Sequence, residues 1–172
     1  AWIRVCAPHR VTPPPSVCYI ATMARLLRLA VALDLVSAIA VASLVVYAGL
    51  GLPPATLALV SLLAGLGTVV IYNVDHLRDN GDDLAPSRRA LVIAASIGMC
   101  GCFVALPGWT FVACIAPGLL GLGHAALKRR APELKSWGVA LAVALAASTL
   151  PVAAAGEPPW PPDGVLFAYL AL

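Results

Sequence analysis

The chain has 172 residues, of which 61% are hydrophobic and 11% charged, with a formal net charge of +3. A soluble domain carries about 25% charged residues, so too little polar surface exists here to coat a water-soluble globule. The composition points to an integral membrane protein and excludes a nucleic-acid-binding module, which would need a concentrated basic surface.

Residues 1–22, "AWIRVCAPHRVTPPPSVCYIAT", show neither helical nor strand periodicity and contain Pro13-Pro14-Pro15. Met23-Ala-Arg-Leu-Leu-Arg reads like a natural start, so the upstream part is expected to be a disordered tail or a translation artefact. Residues 23–172 are expected to form the transmembrane helical domain.

Five apolar segments follow: Leu29–Leu50, Pro54–Val74, Ala90–Leu106, Thr110–Leu127 and Ser136–Ala155. Each is close to the roughly 20 residues that cross a hydrocarbon core. A sixth starts at Gly164 and stops at Leu172, a rise of only about 13 Å as a helix. The expected fold is therefore an all-α, polytopic transmembrane bundle of five complete helices and a truncated sixth, the N-terminal part of a longer protein. Barrel strands alternate in hydropathy, and these runs do not. Pro53-Pro54, Pro107-Gly108 and Pro158-Pro159 punctuate the helices, and Pro117 lies inside the fourth.

All eleven Lys and Arg residues lie before the first segment, between the second and third, or between the fourth and fifth. That alternation predicts a cytoplasmic face for those three regions and the opposite face for Trp109 and Trp160.

The five cysteines form no zinc or disulfide framework, and Cys100-Gly-Cys102 sits in an apolar run where cysteine acts as a small hydrophobe. Gly65-Leu-Gly67 and Gly121-Leu-Gly123 are read as close helix contacts. Neither a P-loop nor a GxGxxG fingerprint is present. Asp34, inside the first segment, is costly in lipid; it is expected to be a functional group, or else protonated or paired with Ser37. His124 is read as an ordinary helix-end histidine.

The concentrated chemistry lies in "IYNVDHLRDNGDD", residues 71–83, which holds four of the eight acidic residues. Asp75 and Asp79, four apart, share a helix face, and close carboxylates are usually tolerated for a divalent cation. Mg²⁺ is commonly held by one or two carboxylates with substrate phosphates. Arg78 offers a fork of donors to the same phosphates, and Lys128 and Arg129 in "HAALKRRAPELKSW" are predicted on the same membrane face. Asp82 and Asp83, beyond Gly81, are expected in water.

This arrangement resembles the UbiA-type intramembrane prenyltransferases, which carry an Asp-rich loop after the second helix and a Lys-Arg pair after the fourth. "DHLRD" matches the D-x-x-x-D part of their motif, while Ile71 and Tyr72 stand where the family has Asn and its first Asp. The family's second Asp-rich loop follows its sixth helix, beyond Leu172. The resemblance implies Asp75 and Asp79 as catalytic, Mg²⁺-binding residues and Arg78, Lys128 and Arg129 as diphosphate ligands. It implies transfer of an isoprenoid from a prenyl diphosphate to an aromatic, quinone-precursor, porphyrin or lipid acceptor, with this fragment inactive alone. The alternatives are a catalytically degenerate UbiA-like scaffold or a small transporter.

Overall fold

The computed structural model describes Leu29 and residues 34–78, 84–130 and 135–159, with the side chains of 124–136 outside the described set. The expected N-terminal tail and the sixth apolar segment lie outside the described residues. Five helices form the described architecture, and no strand occurs among the described residues. They are α1 (Leu35–Ala48), α2 (Pro54–Arg78), α3 (Ala85–Ala105), α4 (Trp109–Arg130) and α5 (Lys135–Ala154). The described residues form an all-helical architecture.

Proline sets several boundaries. Pro54 opens α2 and Pro86 lies in the first turn of α3, where a missing amide hydrogen costs nothing. The α3–α4 turn is closed by Leu106 N–H to the Cys102 carbonyl (2.9 Å) and Thr110 N–H to the Pro107 carbonyl (2.9 Å). Pro117 falls inside α4 and cannot donate to the Ala113 carbonyl.

Three helical stretches are long and apolar enough to cross a membrane: Pro54–Arg78, Ala85–Ala105 and Trp137–Ala154. This is compatible with an integral membrane protein. The first apolar segment differs from its expected extent, because α1 begins only at Leu35 and has 14 residues. Asp34 precedes it with φ 58° and ψ 22°, the left-handed conformation that aspartate enters more readily than most residues. A left-handed residue cannot continue a right-handed helix, so Asp34 caps α1 rather than lying within it.

Helix α2 is central and packs against α1, α3, α4 and α5, while α4 packs on α5 and α5 on α1. Although a short turn joins α3 to α4, α3 leans mainly on α2. Near that turn Phe103 and Phe111 meet edge-to-face, with centroids 5.4 Å apart. Val45, Val60, Leu63, Leu150 and Ala153 form the core. Outward positions are apolar as well: Tyr47 is 77% exposed, Val104 90% and Leu119 66%. Water would penalise such a surface at about 25 cal/mol per Å² of apolar area, and lipid would not.

Small residues let the helices close. The Cβ that Gly121 lacks would sit 2.5 Å from Ile71 Cδ1, and that of Gly98 2.9 Å from Leu66 Cδ1. A Cβ on Gly65 would sit 3.5 Å from the Ala38 carbonyl oxygen and the Ala42 Cβ, an ordinary contact, and one on Gly123 would meet nothing within 4 Å among the described residues, so the close approach of the second glycine pair is at Gly121.

Candidate functional site

The last turns of α2 carry two different faces. At about 100° per residue, Thr68, Ile71, Tyr72 and Asp75 share one side, and Val69, Asn73 and His76 lie on the other. The first side borders a half-open cavity of about 240 Å³ lined by residues of all five helices. Its wall is almost wholly apolar, with Leu63, Met99, Cys114 and Val143 among the lining residues. Thr68 turns its hydroxyl back to the Ala64 carbonyl at 2.9 Å, which hides a polar group from that wall. Tyr72 and Asp75 therefore supply the polar character of one end of an otherwise hydrocarbon-lined space. Asp75 is the acidic residue on that wall among the described residues.

The second side of the turn meets a polar cluster drawn from three helices. Arg88, in the first turn of α3 and 5% exposed, donates from Nη1 to Asn73 Oδ1 at 2.8 Å. Asn73 is fully buried and donates from Nδ2 to the Val69 carbonyl at 2.9 Å. Asp34 Oδ2 lies 3.2 Å from His76 Nε2 and 3.6 Å from Arg88 Nη1, ion-pair distances without hydrogen-bond alignment. The partners of Asp34 are thus His76 and Arg88 rather than Ser37. A buried guanidinium needs a nearby anion and good acceptors, and this cluster gives it both.

Of the residues singled out from the sequence, Asp75 lies on the cavity wall and Arg78 ends α2 with its side chain exposed. Asp79, Asp82 and Asp83 fall outside the described residues. Lys128 and Arg129 belong to the last turns of α4, with their side chains, like that of His124, outside the described set. Among the described residues, no three His, Cys, Asp or Glu side chains gather to hold a metal ion. Asp75 by itself fits the sparse protein ligation typical of Mg²⁺, which takes its other ligands from water and substrate phosphates.

Sequence reasoning overlooked Asn73 and Arg88 as partners, reading the second only as one of the sided cations. The available signal was weak: a carboxamide and a guanidinium at the inner margins of apolar runs, where an unpaired polar group is costly. Comparison with family models, with characterised proteins and with solved structures finds no match to this chain.

Proposed function

We propose that the chain is a UbiA-like membrane prenyltransferase, or the N-terminal portion of one. In this reading it transfers an isoprenoid group from a prenyl diphosphate to an apolar or aromatic acceptor. The observation that carries the reading is the meeting of a hydrocarbon-lined cavity with Asp75 and Tyr72 at one end of α2. An amphiphile with an anionic head and a branched apolar tail matches that division. An engineered cavity of about 150 Å³ accepts benzene, so 240 Å³ corresponds to about ten carbons of chain.

In this proposal, Asp75 and Asp79 would hold the Mg²⁺ diphosphate, and Arg78, Lys128 and Arg129 would supply positive charge to its head group. The bound Mg²⁺ would supply charge neutralisation for the leaving group. The protein's part is to hold the diphosphate while the allylic carbon–oxygen bond breaks and its electron pair departs with that group. The acceptor's nucleophile then bonds to the allylic carbon and loses a proton. Counting equal rise from the Ile71–Gly121 contact, the backbone of Lys128 and Arg129 falls about one turn beyond Asp75, which supports a shared mouth. The proposed orientation turns this mouth to the cytoplasm, following the distribution of lysine and arginine.

Binding tests the reading whether or not the chain turns over alone. Geranyl thiodiphosphate, a slowly ionised analogue, should bind the reconstituted chain saturably and only with Mg²⁺, and Asp75→Asn should abolish that dependence. Binding that ignores both Mg²⁺ and Asp75 would overturn the assignment.

A further inference from the structure

We infer that Asp34, Asn73 and Arg88 are positioning residues that fix the rotation of the last turn of α2, and so aim Tyr72 and Asp75 into the cavity. The role given to Asp75 rests on the proposed prenyl diphosphate reading; the geometry of the turn does not.

A helix end is its loosest part, because its last four carbonyls have no partner within the helix. The end of α2 is held from two sides. On the cavity side, Ile71 sits against the bare backbone of Gly121. On the far side, about 200° around the helix from Asp75, Asn73 accepts a hydrogen bond from Arg88. The guanidinium belongs to α3, Asn73 to α2 and Asp34 to the start of α1, so one buried cation ties three helices at one level. His76, on the same turn, adds a second contact to Asp34.

The cluster is better suited to orientation than to stability. Buried ion pairs gain little over well-packed apolar residues, and their best-attested use is to specify one arrangement among several. Here the alternative arrangements are rotations of the terminal turn. A step of one residue, about 100°, would swing Asp75 off the cavity wall and take Asn73 from Arg88. The observed rotation brings the guanidinium to hydrogen-bond distance of the carboxamide and to ion-pair distance of the carboxylate. Asp34 adopts a left-handed conformation at this very point, so the start of α1 is bent to present the anion.

The Ile71–Gly121 contact supplies a reporter of that rotation. The Cβ of a residue at 121 would lie 3.0 Å from Ile71 Cγ2 and 3.1 Å from Cγ1. Cysteines at both positions therefore fall within disulfide reach, for which Cβ atoms stand about 3.8 Å apart. In the full chain carrying Ile71→Cys and Gly121→Cys, mild oxidation should yield the 71–121 cross-linked peptide by mass spectrometry. Adding Asp34→Asn or Arg88→Lys should slow its formation about tenfold, since a small misplacement defeats a geometry this specific. Arg88→Lys keeps the charge without the fork, which guards against simple failure to fold. Monodispersity and helix content should match the parent chain in both variants.

Unchanged cross-linking rates in both variants would overturn the inference. Ligand binding separates a positioning role from general damage. Asp34→Asn should weaken geranyl thiodiphosphate about tenfold while leaving geraniol, the tail without its diphosphate, unaffected. Equal weakening of both ligands would show that the cluster merely supports the cavity, and would overturn the inference. Failure of the parent chain to bind the diphosphate would instead sink the prenyl diphosphate reading, leaving the cross-linking result to decide the geometry.

Discussion

Gly121→Ala probes the closest helix contact of the bundle. The new methyl carbon would meet Ile71 at 2.5 Å from Cδ1, 3.0 Å from Cγ2 and 3.1 Å from Cγ1. Carbon atoms settle at about 3.5–4.0 Å. Rotation about χ2 can move Cδ1, but the preferred χ1 of a β-branched side chain in a helix holds Cγ1 and Cγ2 in place, so about 0.5 Å of separation is still required. Overpacking of this kind costs about 1–3 kcal/mol. Replacing glycine in a helix returns about 0.5–1 kcal/mol, so the net expectation is a loss of about 1–2 kcal/mol. Gly101, whose added Cβ meets nothing within 4 Å, is the control: Gly101→Ala should be neutral or slightly stabilising. Reversible unfolding in mixed micelles would measure both. Combining Gly121→Ala with Ile71→Ala should recover about 1 kcal/mol relative to additivity, since the two residues touch. Additive behaviour, or a Gly121→Ala protein as stable as Gly101→Ala, would refute the contact.

Arg88→Met should destabilise the chain by about 2–3 kcal/mol in the same assay, because it removes the donor to Asn73 Oδ1 and one of the two cationic partners of Asp34, whereas the pair Asp34→Leu/Arg88→Met should recover most of the loss. Gly118 lines the cavity with nothing within 4 Å of an added Cβ, so Gly118→Leu should fill the space without strain. It should weaken geranyl thiodiphosphate far more than its dimethylallyl counterpart, and equal effects would remove the cavity from the proposal. On the proposed topology, cysteines introduced at Asn80 and Ala131 should label from the cytoplasmic side and one at Gly156 from the other. Labelling of Asn80 and Gly156 from the same side would break that topology.

The helical class and most boundaries were readable because they rest on local chemistry. Pro54, Pro86 and the Pro107-Gly108 turn act within a residue or two of where they stand. The break at Asp34 was not readable: "VALDLV" contains neither glycine nor proline, and the left-handed turn goes with a carboxylate drawn toward His76 and Arg88. Asn73 and Arg88 are fifteen positions apart across a loop, and their meeting depends on the rotation of two helices. Of the candidate site, Asp75 was legible as a carboxylate ending an apolar run. The division of its helix turn into a cavity face and a cluster face was not, because periodicity gives the faces without naming their neighbours.

The cavity has a sequence cause. Cys114, Pro117, Gly118 and Gly121 recur on α4 at i, i+3, i+4 and i+7, so one face of that helix carries no large side chain. Membrane helices use such faces to bring backbones together, and at Gly121 this one does so against Ile71. At Gly118 it does not: no atom stands within 4 Å of where a Cβ would be. The same small-residue face thus closes at one level and opens at the next. A single leucine at Gly118 would fill part of that space. On the proposed reading, the open level of this face, with Tyr72 and Asp75 at one end of an apolar wall, would take a hydrocarbon chain bearing a polar head.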